Sequence, residues 1–268
     1  MLKDITLGQY FPGNSIAHKL DPRTKILLVT LYIIALFSAK GWMGYAVMAV
    51  TLAACVKVSH VGLRALVRGL KPLVFIIAFT GILNMFFTPD THYLWEWGIL
   101  RVSVKGIENA LFMVIRIMLL VMGTFLMTYT TSPIRLTDGL ESLLNPLKKI
   151  HVPVHELAMM MAIALRFIPT LIEETDKIMS AQKARGADFE SGKLMERAKA
   201  LIPILVPLFI SAFRRADELA TAMECRCYQG GEGRTKMKQL HYQRGDFAAF
   251  GAAALLTAAV IILKKFGM

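Results

Sequence analysis

Apolar positions gather into five runs, at roughly 26–39, 42–56, 73–88, 107–131 and 247–263. A helix that crosses a membrane needs about 20 such residues, within a range of about 17 to 25, so the fourth run is long enough outright and the first two are short. Lys40 and Gly41 separate those two. The break fits either a tight helical hairpin, with Lys40 reaching the interface, or one broken helix, and the hairpin is the preferred reading. The pattern predicts an all-α integral membrane protein with about five transmembrane helices.

The stretch 132–244 is patterned differently. Its prolines, Pro133, Pro146, Pro153, Pro203 and Pro207, read as helix starts. They predict a short helix over about 134–144 and two long ones over about 154–184 and 194–227. Both long helices begin apolar on all sides (LAMMMAIALRFIPTLI and ALIPILVPLFISAF) and turn amphipathic in their second halves. A 30-residue helix runs about 45 Å, longer than the bilayer core is thick, so such helices suit a course along the inner face of the membrane. The expected organisation is an arm and four transmembrane helices over 1–131, a cytoplasmic module of long amphipathic helices over 132–244, and a last transmembrane helix over 245–268.

Composition agrees with a molecule part membrane, part aqueous: 55% of residues are hydrophobic and the mean hydropathy is +0.52. A net charge of +12 would point to nucleic acid in a soluble protein, but here the cations are sorted by loop. The segment 57–71 carries Lys57, Arg64, Arg68 and Lys71 with no acid, whereas 89–106 sets Asp90 and Glu96 against Arg101 and Lys105 and adds Tyr93, Trp95 and Trp97. The positive-inside bias and the aromatic belt place the first in the cytoplasm and the second outside. Counting from there puts the N-terminus and 132–244 in the cytoplasm, the latter with 17 of the 31 basic residues. Lys264 and Lys265 then fall outside, which the larger basic block outweighs. Residues 1–25 hold no apolar run and do not read as a signal peptide. Cys55, Cys225 and Cys227 make no disulfide framework and fit a reducing compartment.

Two segments echo one another: TDKIMSAQKAR at 175–185 and ADELATAMECR at 216–226. Asp176 stands as far before Arg185 as Asp217 before Arg226, and glycines follow at Gly186 and at Gly230 and Gly231. Because glycine just past a helix supplies the left-handed cap, each arginine is expected in the last turn, pointing outward. One such arginine is ordinary, since a cation near terminal carbonyls gains about 0.3 to 1 kcal/mol. Two, flanked by small Ala184 and Gly186 and by Cys225 and Cys227, leave each guanidinium room to enter a partner's acidic groove. Asp176, Asp217 and Glu218 are possible supporting charges, though solvated helix faces explain them equally well.

Other candidates carry less. Arg116 lies deep in the fourth run, where a charge costs about 2.5 to 3.5 kcal/mol and calls for a partner, so a buried ion pair is expected. His151 and His155 have a metal-like spacing that Pro153 breaks, and Cys225 with Cys227 lacks further ligands nearby. GGEGRTK at 230–236 lacks the ending of a phosphate loop and the strand before it. No paired carboxylates or nucleophile arrangement argue for an enzyme. A self-contained secondary transporter, the alternative class, needs inverted repeats and midplane polar groups, of which only Arg116 qualifies.

The segment GQYFPGNSIAHKLDPRTK at 8–25, LRFIP at 165–169 and the two arginine motifs resemble the transmembrane, or T, component of energy-coupling factor (ECF) transporters, the EcfT family. The resemblance spans nearly the whole chain. Members carry two X-Arg-X motifs, often Ala-Arg-Gly, at the ends of two long coupling helices. Ala184-Arg185-Gly186 matches the first, while Cys225-Arg226-Cys227 departs in both flanking residues and keeps the arginine. The resemblance implies a scaffold in a prokaryotic cell membrane, without cofactor or catalysis of its own. Its arginines would dock into two ATP-binding-cassette ATPase subunits, and the scaffold would also hold a membrane-embedded substrate-binding S component for vitamins or other micronutrients.

Overall fold

The computed structural model describes residues 10–88, 93–97, 100–187, 189, 194–231 and 239–265. These residues fall into two compact units, 10–142 with 240–265, and 143–231 with 239.

In the first unit, α1 (Ile16–Lys19) and α2 (Pro22–Ser38) follow the N-terminal arm. Asp21 Oδ1 caps α2 by accepting from the Arg23 N–H at 2.9 Å, with Pro22 in the first turn where no N–H is needed. α3 (Gly41–Ser59) begins after a break at Ala39 and Lys40, so the first two apolar runs are separate helices, and Gly41 takes φ +66° at the turn. α4 (Leu63–Leu70) passes through a 3-10 turn at Lys71–Leu73 into α5 (Val74–Phe87). Pro72, which has no N–H to give the α-ladder, sits in that turn.

The connection that follows is not plain loop. Strands β1 (Tyr93–Trp97) and β2 (Leu100–Ser103) pair antiparallel, Tyr93 opposite Ser103 and Trp97 opposite Leu100. Aromatic and branched residues favour the extended backbone there, a local preference that the helical reading of the chain passed over. α6 (Val104–Thr130), α7 (Pro133–Leu144) and α10 (Arg244–Lys265) complete an otherwise helical unit.

Its core is built from α2, α3, α4, α6 and α10, with Leu36, Met48, Leu66 and Val260 fully buried and Leu119 and Tyr129 nearly so. In a lipid surround, close packing and hydrogen bonds rather than escape from water hold such helices together. Two buried charges supply such bonds. Lys25 Nζ donates to the Thr130 carbonyl at 2.8 Å and to Thr131 Oγ1 at 3.0 Å, tying α2 to the end of α6. Asp246, with no exposed surface, accepts from the Asp21 N–H at 3.0 Å and the Gln243 N–H at 2.7 Å, tying α10 to the start of α2.

The second unit holds a 3-10 helix (Asn145–Ile150) and the two long helices α8 (Val154–Ala184) and α9 (Leu194–Glu224). α8 has the expected bounds, and α9 stops three residues before the expected 227. Pro203 and Pro207 do not start a helix but lie inside α9, as Pro169 lies inside α8. The preceding LMERAKA is rich in strong helix formers and starts α9 at Leu194, the expected first residue.

Among the described residues, five helical stretches are long and apolar enough to cross a membrane: α3, the continuous 63–87, α6, α8 and α10. The first apolar run is not among them, because α2, with 17 residues, rises only about 25 Å. α8 qualifies in its place, since length and composition read a helix with an apolar first half alike whether it crosses the bilayer or lies along it.

Candidate functional site

α8 ends in a tight hydrogen-bonded cap. The Arg185 N–H reaches the Ala181 carbonyl at 3.2 Å, the Gly186 N–H reaches Lys183 at 3.0 Å, and the Ala187 N–H reaches back to Gln182 at 3.0 Å. Gly186 stands at φ +88°, the left-handed position such a cap requires. Arg185 is therefore the half-helical residue immediately before the left-handed one, and it is exposed together with Ala184 and Gly186.

α9 ends in the same way. The Cys225 N–H reaches the Thr221 carbonyl at 2.9 Å, the Cys227 N–H reaches Glu224 at 2.9 Å, and the Tyr228 N–H reaches back to Met223 at 3.1 Å. Arg226 occupies the place of Arg185, and the left-handed residue is Cys227, at φ +53°. This corrects the expectation that Gly230 and Gly231 end the helix. The cap forms three residues earlier and holds a cysteine where glycine is the natural occupant, at a cost of about 1 to 2 kcal/mol. Cys225, Arg226 and Cys227 are all exposed.

The two helices are pinned to each other. Arg215 Nη2 donates to Glu174 Oε2 at 3.0 Å, and Ser211 Oγ donates to Glu174 Oε1. Farther along, Tyr228 Oη donates to Met159 Sδ at 3.2 Å. Residue numbers that fall on α8 while they rise on α9 make the pair antiparallel. Glu174 lies 11 residues before Arg185 and Arg215 lies 11 before Arg226, so the ion pair joins equivalent positions and sits on a local two-fold axis. Arg226 is then level with about residue 163 of α8, which separates the two arginines by about 33 Å along the pair.

A model of the family described as cobalt transport protein (CbiQ) matches residues 13–237. The energy-coupling factor transporter transmembrane protein EcfT of Ruminiclostridium cellulolyticum is 54% identical over 264 residues, covering 98% of each chain. The EcfT of Bacillus subtilis is 46% identical over 98% of this chain and 100% of its own. That of Lactococcus lactis is 43% identical over 98% and 99%. The chain belongs to the EcfT family. It is accordingly a multi-pass protein of the cell membrane and the membrane subunit of an energy-coupling factor transporter.

In this EcfT-family chain the remaining candidates separate. Asp176 and Asp217 keep equivalent backbone roles, their carbonyls accepting from Ser180 Oγ at 2.7 Å and Thr221 Oγ1 at 2.9 Å. Their carboxylates are not brought to the arginines, because nine residues amount to two and a half turns and face the opposite side of the helix. The Glu218 side chain is exposed. Among the described residues, no ion pair involves any of these three carboxylates.

Arg116 is half-buried in α6, and the expected ion pair is replaced by other contacts. Its Nε donates to Tyr45 Oη at 2.9 Å, and its guanidinium carbon lies 5.7 Å from the ring centroids of both Phe37 and Tyr45. Among the described residues, no carboxylate comes within ion-pair reach of it. Aromatic faces and a phenol satisfy the cation without bringing a second charge into the membrane.

The pin was the main feature hidden from sequence reading. Glu174 and Arg215 look like two more charges on solvated faces, and Ser211 like a filler in an apolar stretch. The signal that finds the pair is the equal 11-residue offset from each arginine.

Proposed function

We propose that Arg185 and Arg226 are the grips through which two ATP-binding-cassette subunits drive this transporter subunit. Each guanidinium enters an acidic groove on one ATPase, and Ala184, Gly186, Cys225 and Cys227 keep the approach clear of bulky side chains. The single observation that carries this reading is the two-fold relation between the helix ends. A pair of equivalent exposed arginines about an axis is complementary to a pair of equivalent grooves on a symmetric dimer.

On this reading the partners hydrolyse the ATP, and region 132–244 is the coupling module. Closure of the ATPase pair moves the two helix ends relative to each other. The Glu174–Arg215–Ser211 contact lies on the axis and, with the Tyr228–Met159 contact, holds α8 and α9 together so that this motion is passed through the pair. That motion reorients a membrane-embedded substrate-binding S component, which releases vitamins or other micronutrients inward.

The test is co-purification from native membranes in mild detergent. An arginine desolvated in a partner's groove typically costs about 2 to 5 kcal/mol when truncated. Arg185→Ala and Arg226→Ala should each weaken recovery of the ATPase subunits, and the double variant should lose them. Arg135→Ala, also exposed on a helix of this chain, should have little effect. Equal behaviour of all three would sink the proposal.

A further inference from the structure

The other unit presents a site that these coupling contacts do not use. Arg64, Arg68 and Lys71 follow one another at helical spacing along α4 and its 3-10 extension, and all three side chains are exposed. The stretch 57–71 contains no Asp or Glu, and among the described residues none of the three cations has an ion-pair partner. Beside them a groove of about 900 Å³ runs between α4–α5 and α6. Arg64, Arg68 and Lys71 line it interleaved with Leu63, Val67 and Leu70, and Val74, Ile77, Val114 and Met118 continue an apolar lining beyond them.

The groove is therefore polarised along a helical stretch that is long and apolar enough to cross the membrane, 63–87. The cations lie within its first nine residues, spanning about 13 Å of rise, and the apolar end extends toward the hydrocarbon. We propose that the groove binds one anionic phospholipid. Its phosphate sits against Arg64, Arg68 and Lys71, and its acyl chains lie over Val74, Ile77, Val114 and Met118. Guanidinium forks match phosphate oxygens in pairs, and basic pockets between membrane helices are suited to anionic headgroups. A soluble acidic peptide would satisfy the cations but leave the apolar lining bare, since an extended chain cannot carry its backbone groups unpaired into hydrocarbon. A molecule with an anionic head and apolar tails covers both.

The full-length protein, purified in mild detergent and stripped of lipid, is titrated with dioleoylphosphatidylglycerol or dioleoylphosphatidylcholine. Bound lipid is counted by native mass spectrometry. The wild type should retain one phosphatidylglycerol at about a hundredfold lower concentration than phosphatidylcholine, a preference in keeping with three surface cations. Arg64→Gln/Arg68→Gln/Lys71→Gln should bring the two lipids to parity, while Lys264→Gln/Lys265→Gln at the far end of α10 should not. If the triple variant does not survive extraction, Arg68→Gln alone should lower the preference about threefold to fivefold. Ala78→Trp keeps the cations and fills the apolar end, and it should weaken phosphatidylglycerol binding about tenfold. Equal binding of the two lipids by the wild type, an equal loss in the lysine variant, or no effect of Ala78→Trp would overturn the proposal. So would displacement of the lipid by an equal concentration of glycerol 3-phosphate or of a soluble glutamate-rich peptide.

Discussion

The ends of α8 and α9 share one hydrogen-bond pattern but differ at the residue that makes it. Gly186 reaches the left-handed conformation without steric cost, whereas Cys227 holds it against a cost of about 1 to 2 kcal/mol. Despite that difference, each arginine stands one residue before the left-handed position. What repeats is the geometry of the arginine rather than the identity of its neighbours. A cap that persists with an unfavourable residue is held by its surroundings. At the second end, Tyr228 supplies the returning N–H to Met223 and also anchors its hydroxyl on Met159 of α8.

The sharpest way to break the equivalence is to remove both arginines. Arg185→Ala/Arg226→Ala is expected to abolish ATP-driven uptake in reconstituted vesicles, with each single variant losing about 2 to 5 kcal/mol of partner affinity. A marked asymmetry between the singles would mean that the two ends do not bear equally. Next is Gly186→Ala, which forces a side chain into the left-handed region and should cost about 1 to 2 kcal/mol. Faster amide hydrogen exchange at Ala187, by about tenfold, would register it.

Glu174→Gln tests the axis. Glu174 and Arg215 are partly exposed, so their ion pair is worth about 1 kcal/mol at most. Partner binding should survive this change while transport per ATP hydrolysed falls, and a fall in both would assign the residue to docking instead. Cys227→Gly should have the smallest effect, and of opposite sign. Relief of the left-handed strain should stabilise the end of α9 by about 1 kcal/mol and slow exchange at the Tyr228 amide about fivefold. No slowing would mean that the tether to Met159 already sets the stability of that end.

The two units differ in how far their sequences foretell them. In 143–231 the helix bounds, the end of α9 excepted, follow from pattern alone, because few of the residues there are buried and local preference decides. α8 has the bounds the apolar pattern predicts. Pro203 and Pro207 fail only as start signals, because that residue type is tolerated inside a helix already launched by LMERAKA. In the first unit the apolar runs mark the helices, but the pattern does not single out Lys25 or Asp246. Both prove to be buried tethers between elements about 105 and 225 residues apart in the chain. Arg116 announced itself by its apolar surroundings, yet a charge in an apolar run specifies only that a partner exists. That the partner is Tyr45 with Phe37 depends on how α2, α3 and α6 face one another.

By itself the sequence determined the membrane class, the long helices, the repeated arginines and the family. All of these rest on periodicity, composition or short motifs, which act over a few turns of chain. Only the tertiary structure decided that the long helices run antiparallel, that Glu174 meets Arg215 on an axis equidistant from both arginines, and that Cys227 rather than a later glycine closes the second end. The reason is physical: periodicity shows which face of a helix is apolar, but not which helix covers it or in which direction. A left-handed residue without glycine is likewise stable only when contacts distant in sequence hold it there.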